Sequence, residues 1–202
     1  MIKIREIKEV KESIIDETIV LLDSEIRESI FLHLNLKLKK EFLKNFINKD
    51  TLYLYACFEE EELVGCALLG NKPSEYFNQL RGLKFRILIN LIIRLKLKAL
   101  LNVFLAYFNL DTLHLNSEIK NKIEDNLNLN LIAIKNNFQS KGIGKIFFTS
   151  IIDDFKKMNM KTISLEADNS RSIAFYEKKM NFKVIGKKIR FFKFQTILTK
   201  DF

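Results

Sequence analysis

The stretch Gln139-Ser140-Lys141-Gly142-Ile143-Gly144 constrains this chain more than any other. Before it, Leu127 to Ile134 alternates as a strand does, and after it Ile143 to Met158 places apolar residues at helical spacing. Strand, glycine turn and helix together form an arrangement that can hold a phosphate. A helix start carries N–H groups with no partner inside the helix, and its dipole favours negative charge. Gly142 and Gly144 have no Cβ, so an anion can approach the main chain and the turn can take left-handed dihedrals. Lys141 and Lys145 add positive charge. Taken alone, the same pattern also describes a tight strand-to-helix turn with no ligand. It is neither of two better-known phosphate loops: there is no G-x-x-x-x-G-K-[ST] run, and Ile146-Phe147 stand where a third glycine would be.

A chain of 202 residues, 48% of them hydrophobic, can bury a real core, so one domain or one domain with an insertion is expected. One Pro and six Gly argue against long linkers. The net charge of +9 is compatible with nucleic acid, an anionic membrane surface or an acidic ligand. The chain is rich in Lys throughout, and no nucleic-acid motif or aromatic platform accompanies the charge, so no nucleic-acid partner is expected. Cys57 and Cys66 have neither metal-ligand spacing nor a disulfide framework; free thiols in a reducing compartment, and no metal, are expected. The first residues form no continuous apolar segment, so a cytoplasmic location is the default.

Taken in order, Lys3 to Ile7 reads as a first strand and Val10 to Leu22 as an amphipathic helix, with one or two further helices over Ser24 to Asn48. Thr51 to Phe58 and Leu63 to Leu69 read as a hairpin turning at Glu59 to Glu62, with Gly65 marking a bulge or a close backbone approach. Ser74 suits the N-cap of a short helix over Glu75 to Leu80, which Gly82 breaks. Leu83 to Tyr107 is the most apolar stretch. Arg86, Asn90, Arg94, Lys98 and Asn102 stand four apart in it and would form one polar stripe on a single amphipathic helix. Cations inside the span make it costly as a membrane crossing, at about 2.5–3.5 kcal/mol each near the centre. Packing on the rest of the protein is favoured over membrane-surface or partner contact through residues 83–107. Asp111 to Asp125 reads as loop or weak helix. Lys161 to Ala167 reads as a strand, and Asn169-Ser170 caps a helix over Arg171 to Met180 that Asn181 can stop in a left-handed conformation. Phe182 to Gly186 and Ile189 to Leu198 read as two closing strands. The fold class expected is α/β, with a mixed, mostly antiparallel central sheet and helices on both faces.

Residues 131 to 182 together resemble the GNAT superfamily of acetyl-CoA-dependent N-acetyltransferases. Leu131-Ile132-Ala133-Ile134 resembles its apolar-Ala-Val/Ile strand end, and Phe138 to Gly144 resembles its aromatic followed by Q-x-x-G-x-G. Leu165-Glu166-Ala167-Asp168-Asn169 resembles its next strand ending in Asn, and Asn169 to Lys178 its N-x-x-[AS]-x-x-[FL]-Y-E-K helix. Met180-Asn181-Phe182 stands where Leu-Gly-Phe is usual, and Asn136 where Pro is frequent. The resemblance implies one GNAT domain over residues 1–202, with a helical insertion at about 71–126 like that of a GNAT subgroup.

It also implies acetyl-CoA as co-substrate and a primary amine as acceptor, attacked directly in a ternary complex. Backbone groups of Ile132, Ala133 and Ile134 would pair with the pantetheine arm, with a main-chain N–H near Ile134 polarising the thioester carbonyl. The amides of Ser140, Lys141, Gly142, Ile143, Gly144 and Lys145 would hold the pyrophosphate; Gln139 would orient the loop, and Asn169 would bond the pantetheine or its surroundings. Tyr176 is the expected general acid, since a phenol of pKa about 10 stays protonated at neutral pH; it could equally pack beneath the cofactor. Glu166, His114, Asp125 and Glu118 are candidate bases by residue type only. The alternative is a GNAT-fold module that senses acetyl-CoA without catalysis and docks on a membrane or partner through the 83–107 helix. That helix is also suited to cover a homodimer interface.

Overall fold

The computed structural model describes residues 1–26, 29–47, 51–71, 81–107, 115–124, 126–191 and 193–202. The chain runs β1 (Ile2–Glu6), α1 (Glu12–Glu25), a 3₁₀ turn (Ile30–His33), α2 (Leu36–Ile47), β2 (Leu52–Glu59) and β3 (Glu62–Asn71). Three helices follow: α3 (Arg81–Ile93), α4 (Leu97–Tyr107) and α5 (Ser117–Glu124). Then come β4 (Leu127–Ile134), α6 (Ile143–Lys157), β5 (Thr162–Ala167), α7 (Ser170–Ala174) with a π turn over Phe175–Lys179, β6 (Lys183–Arg190) and β7 (Lys193–Asp201). The strands form one seven-stranded sheet in the order β1-β2-β3-β4-β5-β7-β6. Only the β4–β5 pair is parallel, as a crossover through α6 requires.

Helices cover both faces, as expected. On one side Ile15, Ile19 and Leu22 of α1 and Leu43 and Phe46 of α2 close over Leu54, Ala56 and Leu68. On the other, Phe147, Phe148, Ile151 and Phe155 of α6 close over Tyr55, Val64 and Leu165. β2 and β3 are central and covered on both faces, so Leu54 to Cys57 and Leu63 to Leu69 are buried without alternation. β1, at the edge, alternates. The hairpin turns at Glu60-Glu61, with Glu60 left-handed at φ 57°. Gly65 answers to both expectations: the register slips between Cys57 and Phe58, and a Cβ on Gly65 would lie 3.3 Å from the Ala133 carbonyl oxygen.

Two elements depart from the reading of the sequence. Residues 83–107 are two helices rather than one. α3 is closed off two residues past its end by Leu95, which is left-handed at φ 51°, while Leu95 N donates to Ile92 O and Lys96 N to Leu91 O. That pair of bonds is the Schellman closure, normally signalled by glycine or asparagine at the left-handed position; leucine there leaves no mark in the sequence. The last hairpin turns at Phe191 rather than near Lys187, because Phe191 takes φ 49° and its N–H is held by the Asn102 side chain at 3.0 Å. Gly82 sits in the first turn of α3 rather than ending a helix, and the proposed Ser74 cap lies outside the described residues. Asn181 does end its helical segment left-handed, at φ 57°. Cys57 and Cys66 are free and buried, and burial pushes their thiols up to about 11 and about 12. Among the described residues, no helix is long and apolar enough to cross a membrane.

Candidate functional site

The site begins with a defect in β4. Leu129 pairs with Leu69 and Leu131 with Leu68, so Asn130 has no partner on β3 and forms a bulge. A bulge bends its strand and raises its twist. On the other side of β4, pairing with β5 stops at the same place: only Leu127, Asn128 and Leu129 meet Ile163, Ser164 and Leu165. From Asn130 onward the two strands separate although both continue, β4 to Ile134 and β5 to Ala167. Ile132, Ala133 and Ile134 remain paired to Ala67, Cys66 and Gly65 of β3 on one edge and are free of β5 on the other. A strand edge without a neighbour presents backbone groups that another extended chain can pair with, so this edge is suited to an extended ligand carrying amides of its own.

The glycine turn lies at the end of that opening. Ser140 and Gly142 are both left-handed, at φ 64° and 82°. A Cβ on Gly142 would meet nothing within 4 Å, so the space over it is open. Gly142 O accepts from the Lys145 and Ile146 amides as α6 starts. Gly144 is required for a different reason: a Cβ there would sit 3.3 Å from Ile134 Cδ1, so its absence lets α6 begin against the end of β4. Lys141 and Lys145 are exposed, and Lys141 Nζ lies 5.1 Å from the Phe138 ring centroid.

Gln139 ties the turn to the strand, donating from Nε2 to Ile134 O at 2.9 Å. The same Nε2 is 3.2 Å from Glu25 Oε2, and Glu25 Oε1 accepts from Asn136 N at 3.0 Å. Glu25 closes α1 and thereby joins the first helix to the loop; a contact across more than a hundred residues had no local signal in the sequence. Arg171 was also missed as a contributor: its Nη2 donates to Ser140 Oγ at 3.0 Å, which brings a guanidinium to the turn.

Asn169 caps α7 by accepting from Ser172 N at 2.8 Å. α7 then widens into the π turn that carries Tyr176, a distortion frequent at functional sites. Tyr176 is buried among Phe148, Phe175 and Phe182, with ring centroids 5.2–5.8 Å away. Burial pushes its phenol above the ordinary value, so it stays protonated through the physiological range. Glu166 faces Lys188 Nζ at 2.6 Å and Arg190 Nη1 at 3.0 Å. Burial alone would raise its pKa, but the two cations outweigh that and hold the carboxyl at about 2. Such a carboxylate accepts protons poorly at neutral pH. His114 and Asp125 lie outside the described residues, and Glu118 is exposed in the first turn of α5.

A family model described as the acetyltransferase (GNAT) family matches residues 105–182, the segment that contains the opening, the turn and Tyr176. Among solved structures, the chain is similar to the ribosomal-protein-S18-alanine N-acetyltransferase of Escherichia coli (13% identity, TM-score 0.59, covering 100% of this chain and 94% of that one). It is similar to the polyamine N-acetyltransferase of Drosophila melanogaster (10% identity, TM-score 0.63, 100% of each chain). It is also similar to NAA60 of Arabidopsis thaliana in complex with acetyl-CoA (12% identity, TM-score 0.58, 100% and 98%). Identities this low establish the shared fold. No curated protein matches the sequence significantly.

Proposed function

With residues 105–182 a GNAT-type acetyltransferase segment, we propose that this chain transfers an acetyl group from acetyl-CoA to a primary amine, by direct attack while both are bound. The observation that carries the reading is the coincidence of the Asn130 bulge, the loss of β4–β5 pairing and the open glycine turn along one line. The free edge of Ile132, Ala133 and Ile134 suits the amides of a pantetheine arm. The amides from Ser140 to Lys145, with Lys141, Lys145 and Arg171 nearby, suit a pyrophosphate. Gln139 and Asn169 serve as fixtures: one binds the loop to Ile134, the other caps the helix that carries Tyr176.

In this reading the amine nitrogen attacks the acetyl carbonyl carbon as the carbon–sulfur bond breaks. Holding both reactants together supplies much of the rate, and a main-chain N–H near Ile134 stabilises the oxygen as it gains charge. Tyr176 delivers the proton to the departing thiolate, and the phenolate takes up, directly or through water, the proton that the amine nitrogen loses, so the tyrosine ends neutral and CoA leaves as the thiol. Glu166 holds Lys188 and Arg190 of the last hairpin and takes no part in proton transfer. The chain is read as one domain over residues 1–202, with the insertion at about 71–126 placed between β3 and β4.

Calorimetry with acetyl-CoA on the wild type and on Gly142→Asp tests this. Nothing lies within 4 Å of a Cβ at Gly142, and aspartate tolerates left-handed dihedrals better than most residues, so the variant is expected to fold. Micromolar binding by the wild type that the folded variant loses supports the site. A wild type that fails to bind acetyl-CoA sinks it.

A further inference from the structure

The pair α3–α4 is docked through Leu83, Asn90, Leu91, Ala99 and Asn102, with polar contacts at the margin, and leaves a second apolar side in water. Arg86 Nη2 lies 3.0 Å from Glu41 Oε1 of α2. Arg94 Nη1 donates to the His33 carbonyl at 3.2 Å. Asn90 and Asn102 are buried, and Asn102 accepts from Phe191 N. The opposite side carries Phe85, Ile89 and Ile92 on α3 and Leu97, Leu101 and Phe104 on α4, all exposed. Each triplet has the i, i+4, i+7 spacing of a single helical stripe. At the elbow between them Ile93 and Leu95 are 73% and 78% exposed, beyond what scattered surface residues explain.

Charge decides what fits this surface. No Asp or Glu stands between Glu75 and Asp111, while Arg81, Lys84, Arg86, Arg94, Lys96 and Lys98 do. Lys96 and Lys98 are exposed at the elbow, beside Leu95 and Leu97. A second copy would bring the same cation-only element against this one, and like charges would oppose the apolar contact. An anionic bilayer answers both features, because acyl chains receive an apolar stripe and headgroups receive lysines. α3 has 13 residues, about 20 Å at 1.5 Å each, too short for a hydrocarbon core of about 30 Å. We propose that α3 and α4 lie flat on an anionic membrane surface, with the Phe85-to-Phe104 stripe at the acyl boundary and Lys96 and Lys98 among the headgroups.

The full chain is sedimented with vesicles of phosphatidylcholine alone and of phosphatidylcholine containing about one quarter phosphatidylserine. The expected result is capture by the anionic vesicles only, weakened by added salt. Replacing the two lysines together (Lys96→Ser, Lys98→Ser) lowers the partition coefficient by about tenfold or more. Replacing two apolar residues together (Ile93→Ser, Leu97→Ser) lowers it comparably, and both variants keep the wild-type circular dichroism and acetyl-CoA affinity. No capture by anionic vesicles, or equal capture by neutral ones, overturns the proposal. So does sedimentation equilibrium showing a dimer that Ile93→Ser with Leu97→Ser converts to monomer, which would make the face a self-interface.

Discussion

α6 and the α3–α4 pair are both rich in Phe, Leu and Ile, but α6 buries most of its large apolar residues whereas α3–α4 divides them between the core and water. α6 points Phe147, Phe148, Ile151 and Phe155 at the sheet and leaves Lys145, Asp153 and Lys156 in water. α3–α4 sends Leu83, Leu91 and Ala99 inward together with Asn90 and Asn102, and leaves Phe85, Ile93, Leu95 and Leu97 in water. Periodicity tells which residues share a face, but the neighbours choose which face turns inward. The strands beneath α6 present apolar side chains. α3–α4 meets a carboxylate on α2, a carbonyl at His33 and an unsatisfied turn amide at Phe191. Those neighbours account for Asn102 turning inward, since a buried turn amide left without a partner costs more than an exposed leucine.

Substitutions can sharpen or break that contrast. Phe148, on α6, is fully buried and touches Tyr176 and Phe182. Phe148→Ala should cost about 3–5 kcal/mol in urea unfolding. Removing a side chain of the same size from the other face, by Phe85→Ser, should cost less than about 0.5 kcal/mol. Equal losses at the two sites would mean that Phe85 is covered in solution and the contrast fails.

Glu166→Gln lies between these extremes, at about 2 kcal/mol at neutral pH. Its carboxyl is held at about 2 against an ordinary 4.5. The unfolded chain therefore binds the extra proton in that window, and the contribution is complete above 4.5 and lost as pH falls towards 2. Denaturant midpoints of the wild type should fall across that interval while the Gln variant stays flatter there. Parallel acid limbs would remove Glu166 from the account of the last hairpin. A smaller effect than that of Glu166→Gln is expected at Asn102→Ala, about 1 kcal/mol, from loss of the bond to Phe191 N. Faster hydrogen exchange confined to the β6–β7 turn would report it, and exchange that stays unchanged would show that Asn102 does not hold that turn.

The same contrast marks what was legible in the sequence. The strand, glycine turn and helix over residues 127–157 could be read because glycine has a backbone meaning and alternation a geometric one. The helix break at Leu95 and the turn at Phe191 could not, since both place left-handed dihedrals on residues that rarely adopt them. The Asn130 bulge left no residue-type signal, yet the opening of β4 from β5 starts there. Glu25 was invisible for a different reason: its partners are Asn136 and Gln139, which only the fold brings near α1.

The two buried thiols sit on neighbouring strands but on opposite sides of the sheet. Cys57 belongs to the α6 layer and Cys66 to the layer under α1 and α2. Each is a natural clock for its own layer, because a thiol-reactive reagent can modify it only in molecules whose covering helices have lifted. Matched labelling rates would describe a sheet that sheds both layers in one cooperative event. Unequal rates would show one helical layer peeling away while the other holds, and would say which of the two keeps the protein together longest.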